Sequence, residues 1–456
     1  MFLASIFGSL LLFSVKTRAQ FAYVSILSSE DFILAARVMA HTLQKHNESK
    51  IPYVVLYTED VSEDSLIALR LQEVLLKQVN KIDTPSLKTH PDKKFQYTKL
   101  HLWSLEQYEV LVYLDLDTAV LDSIGELFHC GSFCASVRHS DKFNAGVFVL
   151  RPNQTVYEDM LNSTYEMQSY DGGDQGFMNA YFWQVKWASM FDSNATIKSS
   201  IQRLSAAYNY DVGMYYLSGK MLINPKIIHY TMAFVKPWHW YGYPVFDLNW
   251  YWHQNRDEMH RQYNETAINY YQSITRALIF VVVLFAQQVI YPFLARIATR
   301  NSARPIVCFE QPIVVLAIMS IGIYFSVYLT PMQTMPIFGW ILFTIQFTLI
   351  VAVLTATYSK LRFGYGSTIS NVFLLFTFVS ILEVVAWNVV IQIKVPGTRF
   401  LVAIGFMVFF ALTIYNTLAT LIFSPQLLNR LYSKTRKTKN ESNEDLTLLC
   451  DPEVAS

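Results

Sequence analysis

Long apolar segments in the C-terminal half of the chain constrain its architecture more than any other feature. Each is about as long as a helix that crosses a bilayer. There are five of them, at residues 277–295, 313–329, 337–358, 372–393 and 400–423. The chain as a whole is 52% hydrophobic and 16% charged, which excludes an ordinary soluble protein. We therefore predict an all-α transmembrane bundle of about five helices.

Strongly basic stretches flank these segments on one side, whereas the other loops carry little charge beyond Lys394 and Arg399. The basic stretches are Arg296, Arg300 and Arg304, then Lys360 with Arg362, and finally residues 430–439. With five spans and a lumenal N-terminal domain, every strongly basic stretch falls on the cytosolic side, as the positive-inside rule requires. Glu383 lies inside the fourth span, where it is either a functional group or a protonated, hydrogen-bonded carboxyl. A net charge of +1 gives no indication of a nucleic-acid partner.

The N-terminal residues are typical of a secretory signal peptide. Residues 1–19 hold a short apolar core followed by small residues suited to cleavage, with an uncleaved anchor as the alternative. Sequons for N-glycosylation favour a lumenal domain; they stand at Asn47, Asn153, Asn162, Asn194 and Asn264. The predicted divisions are a signal peptide (1–19), a lumenal domain (20–275), a five-span region (276–424) and a cytosolic tail (425–456).

The lumenal part alternates between strand and helix patterns. We predict strands at 21–27, 51–57 and 74–79, with helices ending near residue 46, at 62–71 and at 99–108. This alternation is typical of an α/β fold with a largely parallel sheet. Cys130 and Cys134 could pair in an oxidising lumen or remain buried thiols.

Residues 110–117 form an apolar run that ends in Asp115 and Asp117. The run predicts a strand buried on both faces. If strand geometry holds through the two carboxylates, both point the same way and repel each other unless a cation or proton lies between them. Hard oxygen ligands suit Mg²⁺ or Mn²⁺. The alternative is an acidic strand-to-loop junction.

Further along the chain, three polar fragments follow in order. They are Phe-Asn-Ala-Gly-Val-Phe-Val at 143–149, Asp-Gly-Gly-Asp-Gln-Gly at 171–176, and His229 with Lys236-Pro237-Trp238. Singly, each has a structural explanation as a turn, a helix cap or a surface histidine. Together they supply the carboxylates, the imidazole, the cation and the polar groups that a metal-bound sugar diphosphate needs.

With these blocks in this order, residues 21–238 resemble glycosyltransferase family 8, the family of glycogenin, which has a GT-A fold. The resemblance implies that Asp115, Asp117 and His229 hold Mn²⁺ (or Mg²⁺) on the diphosphate of a UDP-sugar. Lys236 would contact phosphate. Residues lining the donor sugar would be Lys99, Asn144, Asp171, Asp174 and Gln175, and Gly146 would also belong to the donor-binding residues. Those gripping uracil and ribose would be Ile26, Ser28, Ser29 and Phe32.

This sequence departs from the glycogenin pattern at two informative positions. Ala233 stands where the family has a glycine, which puts a backbone contact to phosphate in doubt. Arg138 aligns with a sugar-binding Asp, and an arginine there could pair bidentately with a sugar carboxylate. We therefore hypothesise a uronic acid donor; the alternative is that Arg138 faces water beside Asp141.

Five spans and the Cys-Gly-x-Phe-Cys-Ala block at 130–135 resemble the plant-type branch of the family, which includes inositol phosphorylceramide glucuronosyltransferases. The resemblance implies a retaining transfer of glucuronate from a UDP-sugar to a membrane lipid acceptor in the Golgi or ER. One alternative is a glycogenin-like glucosyltransferase acting on itself, at Tyr215 or Tyr216, on another protein or on a polysaccharide. A non-enzymatic alternative is a transporter with a lumenal sugar-binding domain.

Overall fold

The computed structural model describes residues 19–47, 49–85, 94–137, 141–195, 200–265, 310–363 and 369–437. These residues divide into two compact units. The first contains the described residues up to Val212 together with Leu222–Thr231. The second contains Gly213–Met221 and the described residues from Met232 onward. Outside the described residues lie residues 1–18 of the predicted signal peptide, the predicted span at 277–295, residues 438–456 of the predicted tail and the predicted donor residue Arg138.

An eight-stranded mixed sheet forms the centre of the first unit. Its strands, in chain order, are β1 (Ala19–Leu27), β2 (Tyr53–Tyr57), β3 (Leu75–Gln78), β4 (Tyr108–Leu114), β6 (Phe133–Val137), β7 (Phe143–Leu150), β8 (Ser189–Met190) and β9 (Ile201–Leu204). Their order across the sheet is β3-β2-β1-β4-β7-β6-β9-β8. The first four run parallel, and β7 pairs antiparallel with both β4 and β6. The sheet is therefore parallel on one side and mixed on the other.

A smaller sheet joins distant parts of the chain beside the end of β4. It has the order β10-β11-β5, with β5 (Thr118–Val120), β10 (Tyr210–Asp211) and β11 (Ile227–His229). In the antiparallel β5–β11 pair, His229 lies opposite Thr118. This pairing brings the end of β11 to the turn that follows β4.

Helices cover the main sheet. They are α1 (Ile33–His46), α2 (Glu63–Arg70), α3 (Gln154–Ser163) and α4 (Asp174–Tyr181), and α5 (Val212–Ser218) follows β10 directly. Side chains of the sheet and of α3 and α4 share one core, in which Phe133 stacks on Phe182 with ring centroids 3.9 Å apart. A disulfide joins Cys130 and Cys134.

One predicted helix was wrong in type and position. The segment predicted as a helix at 99–108 is a 3-10 helix at Gln96–Ser104, and Tyr108 already starts β4. Six of its residues, including Lys99 and Trp103, are buried. Because tertiary contacts surround this segment almost completely, they override its local helix propensity.

The second unit contains long apolar helices. After α6 (Asn249–Gln262) come α7 (Glu310–Leu329), α8 (Pro336–Phe363), α9 (Ile369–Gln392) and α10 (Pro396–Lys437). Among the described residues, Glu310–Leu329, Pro336–Arg362 and Pro396–Phe423 are long and apolar enough to cross a membrane, and the part of α9 at Phe378–Gln392 is a shorter apolar segment. These four coincide with the last four predicted spans. The predicted architecture, an α/β domain followed by apolar helices, is confirmed.

Aromatic residues of the segment 238–252 pack onto these helices within the second unit. The side chain of Trp240 rests on Gly339, where an added Cβ would come within 2.5 Å of its Cγ atom. Trp340 Nε1 donates to the carbonyl oxygen of Tyr243 at 2.8 Å. Buried Arg399 forms an ion pair with Asp247 at 2.9 Å. The segment is thus held by ring packing, a hydrogen bond and an ion pair.

Candidate active site

Asp115, Asp117 and His229 form a group in which the candidate ligand atoms all lie within 4.8 Å of one another. Asp115 follows the last residue of β4, Asp117 precedes β5, and His229 ends β11. The β5–β11 pairing therefore explains why a histidine more than one hundred residues away reaches the carboxylates. The imidazole is buried, whereas the carboxylates are partly exposed, so a bound cation would keep positions open toward solvent.

The two carboxylates are brought together by a turn and not by strand alternation. The strand stops at Leu114, and Thr118 N donates to Asp115 O at 3.0 Å across the turn. Leu116 between the carboxylates is buried. The expectation that strand geometry continues through Asp115 and Asp117 was wrong, since the chain must bend here to start β5.

Asn209 fixes which nitrogen of His229 carries the proton. The backbone N–H of Gly146 donates to Asn144 Oδ1 at 2.9 Å, so that oxygen is an acceptor. Asn209 Nδ2 donates to the same oxygen at 3.0 Å, which turns Asn209 Oδ1 toward His229 Nδ1 at 2.8 Å. His229 therefore donates from Nδ1, and the lone pair of Nε2 faces the carboxylates.

This tautomer places two acceptors against each other. His229 Nε2 lies 3.2 Å from Asp117 Oδ1, and a lone pair facing a carboxylate is unfavourable unless a cation or a proton lies between them. Two carboxylate oxygens and one imidazole nitrogen suit Mn²⁺ well and Mg²⁺ less well. The residues present therefore fit a divalent metal ion.

Because Gly146 has no side chain, it leaves room for the imidazole of His229. A Cβ added at this position would lie 2.7 Å from His229 Nδ1 and 2.9 Å from Asn144 Oδ1, far inside contact distance. Gly146 lines the cavity, but its clearest structural role is to admit the histidine ring.

Lys99 is a buried ammonium that joins two carboxylates. Its Nζ lies 2.5 Å from Asp174 Oδ2 and 3.3 Å from Asp115 Oδ1, and it donates to Ala145 O at 3.1 Å. Burial alone would lower the pKa of Lys99, but Asp115 and Asp174 outweigh it and hold the pKa above its ordinary value. Burial raises the pKa of Asp174, an effect that Lys99 opposes and Asp115 reinforces.

The residues predicted to contact the sugar lie around the start of α4. Asp171 Oδ1 accepts from the backbone N–H groups of Gly173 and Gly176 at 3.1 and 2.9 Å, so Asp171 also serves as a helix cap. Asn144 Nδ2 donates to Gln175 Oε1 at 3.0 Å. A continuous series of amide hydrogen bonds thus runs from His229 to Gln175.

These side chains line one cavity of about 190 Å³. Its lining residues are Gln96, Lys99, Asp115, Asp117, Asn144, Ala145, Gly146, Asp171, Asp174, Gln175, His229 and Thr231. All of the predicted metal ligands are among them, and so are the predicted sugar contacts except Arg138, which lies outside the described residues. The sequence reasoning missed Gln96, Thr231 and Asn209, which have no recognisable spacing relative to the acidic pair.

The predicted nucleoside contacts lie outside this cavity lining. Continuing the β1–β4 register from the Val24–Tyr113 pair brings Ile26 level with Asp115 at the same sheet edge. Ser28 and Ser29 follow β1, and the Ser29 side chain accepts from Asp31 N at 3.3 Å as a helix cap. Phe32 immediately precedes α1. Lys236 belongs to the second unit, where its backbone N–H donates to His239 Nδ1 at 3.2 Å.

A mixed sheet with an Asp-x-Asp turn at the end of β4 is typical of the GT-A class of glycosyltransferases. Residues 23–131 and 134–241 match the family described as glycosyl transferase family 8. These matched residues belong to that family.

Three proteins illustrate what the chain is similar to. Inositol phosphorylceramide glucuronosyltransferase 1 of Arabidopsis thaliana is 35% identical over 231 residues, which are 48% of this chain and 43% of the relative. Glycogenin-1 of Oryctolagus cuniculus is 30% identical over 230 residues, which are 48% of this chain and 66% of the relative. The structure of the galactosyltransferase LgtC, solved with donor and acceptor sugar analogues, matches with a TM-score of 0.40 and 16% sequence identity. The match covers 52% of this chain and 95% of the LgtC chain. The chain thus spans less than half the length of the plant relative.

Proposed function

We propose that this protein is a membrane-bound, metal-dependent glycosyltransferase that moves a sugar from a UDP-sugar to a membrane lipid. The observation that carries the proposal is the group of Asp115, Asp117 and His229, with its imidazole tautomer set by Asn209. A nucleotide-sugar transferase needs such a group to hold a divalent cation on the donor diphosphate.

Charge balance makes the cation essential for donor binding. The cavity is lined by the carboxylates of Asp115, Asp117, Asp171 and Asp174, and the ammonium of Lys99 offsets only one of them. A diphosphate entering this cavity is repelled unless a divalent cation neutralises part of that charge. When bound, the metal ion supplies electrostatic stabilisation of the leaving UDP.

The chain's own residues have separable roles in this scheme. Lys99 fixes the carboxylates of Asp115 and Asp174 through its two ion pairs. Asp174 and Gln175, in the first turn of α4, are proposed to hold the donor sugar, with Asn144 orienting the Gln175 amide. By the family resemblance, Lys236 contacts the diphosphate, and Ile26 and Ser28 hold the nucleoside.

The reaction exchanges one bond at C1 of the sugar for another. The bond between C1 and the β-phosphate oxygen breaks, a bond between C1 and the acceptor hydroxyl oxygen forms, and the hydroxyl proton is released with UDP. We propose retention of the anomeric configuration, as the family resemblance implies.

Glucuronate is the proposed donor sugar. Similarity to a glucuronosyltransferase supports it, as does an arginine at position 138, which can pair bidentately with a sugar carboxylate. Arg138→Ala is expected to raise the KM for UDP-glucuronate far more than the KM for UDP-glucose. Equal effects on both donors would remove this role.

A membrane lipid is the proposed acceptor class, for two reasons. One apolar helix would suffice to anchor the protein in a membrane, whereas the described residues contain several. In addition, one similar protein is named for inositol phosphorylceramide, which is a lipid. Self-glucosylation receives less support, since the Tyr215 hydroxyl donates to Asp247 at 2.8 Å and the Tyr216 hydroxyl accepts from Leu248 N at 3.2 Å. We place the enzyme in the Golgi or ER membrane, with its N-terminal domain lumenal and its tail cytosolic.

The test is a donor panel on the detergent-purified full chain. Labelled UDP-glucuronate, UDP-glucose and UDP-galactose are each supplied with Mn²⁺ and a sphingolipid extract, and label is followed into lipid, protein and soluble fractions. We expect glucuronate label in lipid, loss of turnover in Asp115→Asn and Asp117→Asn, and normal turnover in the matched variant Asp122→Asn outside the cavity lining. Label from UDP-glucose on the protein itself would favour the glycogenin-like function instead.

A further inference from the structure

Tyr170 joins an exposed aromatic ring to the wall of the cavity. Its hydroxyl accepts a hydrogen bond from Gln175 Nε2 at 2.7 Å, and Gln175 lines the cavity. Tyr170 is nevertheless 54% exposed. The ring is therefore held at its polar end beside the proposed sugar site while much of its surface faces solvent.

Lys142 adds a positive charge to this ring. Its Nζ lies 5.7 Å from the centroid of the Tyr170 ring, within cation–π range. Lys142 is exposed and directly precedes β7, which carries Asn144 in the cavity wall. The ammonium and the ring thus stand on the two segments that lead into β7 and α4, and both of these elements contribute residues to the cavity lining.

This pair has the chemistry of a headgroup site. An aromatic face packs against the C–H face of a polyhydroxylated ring, and a lysine ammonium binds a phosphate as a point charge. An anionic acceptor approaching four cavity carboxylates is repelled, and the Lys142 ammonium, beside the ring that Gln175 contacts, offsets part of that repulsion. A neutral glycan acceptor would need the ring but not the ammonium.

We propose, building on the function above, that Tyr170 and Lys142 form the acceptor subsite and that it takes a lipid headgroup with a phosphate beside a polyhydroxylated ring. Transfer would then occur onto a hydroxyl of that ring. Lys142 binds the phosphate and Tyr170 orients the ring.

Lys186 provides a matched control for Lys142. Its Nζ also lies over an aromatic ring, 4.8 Å from the centroid of exposed Trp187, and it is ion-paired with Asp141 at 2.6 Å. Tyr170 contacts Gln175 of the cavity lining, whereas Trp187 and Asp141, which Lys186 contacts, are not part of that lining. A nonspecific loss of surface charge therefore affects both variants, whereas loss of the headgroup contact affects only one.

The experiment compares Lys142→Ala with Lys186→Ala in the detergent-purified full chain with Mn²⁺ and UDP-glucuronate. With inositol phosphorylceramide as acceptor, we expect Lys142→Ala to raise the acceptor KM about tenfold, the equivalent of one charged contact, and by more than it raises the donor KM. Glucosylceramide, which lacks the phosphate, should show no such difference between the variants. Equal acceptor KM values in both variants, or an equal rise with both lipids, would overturn the subsite.

A binding measurement separates failure of the subsite from failure of the proposed function. Short-chain phosphatidylinositol is titrated calorimetrically into the chain loaded with Mn²⁺ and UDP, with short-chain phosphatidylcholine as the control lipid. If wild type binds phosphatidylinositol selectively and Lys142→Ala weakens that binding, the subsite is supported. This holds even if wild type transfers no glucuronate, because that outcome would refute only the donor assignment. Equal binding of both lipids by wild type refutes the subsite itself.

Discussion

Replacing Asn209 with alanine tests whether this amide prepares His229 for a metal ion. Asn209 is buried and contacts His229 Nδ1 at 2.8 Å, Asn144 Oδ1 at 3.0 Å and Asn144 O at 3.4 Å. The alanine variant removes all three hydrogen bonds and leaves the buried Nδ1–H of His229 without its acceptor. The ring then moves, or its proton shifts to Nε2, where it blocks the lone pair that faces the carboxylates.

The size of the effect follows from these contacts. An unsatisfied buried polar group costs about 1–3 kcal/mol, and loss of an outer-shell partner of a ligating histidine typically weakens metal binding about 10–100-fold. The two ranges agree, because a tenfold change corresponds to about 1.4 kcal/mol. We therefore expect the Mn²⁺ dissociation constant of Asn209→Ala to rise about 10–100-fold.

The assay is an electron paramagnetic resonance titration of Mn²⁺ into the purified chain at saturating UDP. Asn179→Ala is the matched control, since Asn179 is also a buried amide, accepts from Phe143 N at 2.9 Å and contacts none of the three proposed ligands. It should lower the melting temperature without a comparable change in Mn²⁺ affinity. An unchanged dissociation constant in Asn209→Ala, or an equal rise in both variants, would refute the reasoning.

Three further expectations follow from other contacts. Gly146→Ala should weaken Mn²⁺ at least about tenfold by displacing the His229 ring, whereas Gly125→Ala, with its nearest neighbour atom 4.0 Å away, should not; equal titrations would contradict this. Burial, followed by nearby positive charge, lowers the pKa of His253 to about 3, so the folded state stays neutral where the unfolded state gains a proton below about pH 6.5. Wild type should therefore lose about 1.4 kcal/mol more stability than His253→Gln between pH 7.5 and 5.5, and parallel melting curves would contradict it. Gly339→Ala should cost about 1–3 kcal/mol by overpacking the indole that rests on it, and an unchanged melting temperature would show that this contact is loose.

The features that the sequence predicts well are those that depend on short, continuous patterns of residues. The apolar run of β4 and the apolar helices of the second unit follow from continuous hydrophobic stretches. The cavity lining at Asn144 and Gln175 followed from the family resemblance, because both lie in compact motifs. Residue roles carried over in this way stay predictions until substitution tests them.

What the sequence could not supply depends on strand register and burial. Asn209 contacts His229 only because β10 and β5 flank β11, and no spacing in the chain encodes that pairing. The turn at Asp115–Asp117 was missed because an apolar run gives no sign of where a strand must bend. The 3-10 form of residues 96–104 reflects packing on nearly every side, which propensity does not record.

The packing of the Trp240 side chain on Gly339 determines where the chain can be truncated. A truncated chain that ends before the first apolar helix would keep Trp240 but lose the glycine and the rings that cover it. Its indole, 1% exposed in the full chain, would then face water, together with the carbonyl of Tyr243 that Trp340 now satisfies. Secretion of such a fragment should yield aggregates, and soluble material would require replacing these aromatic residues as well as removing the helices.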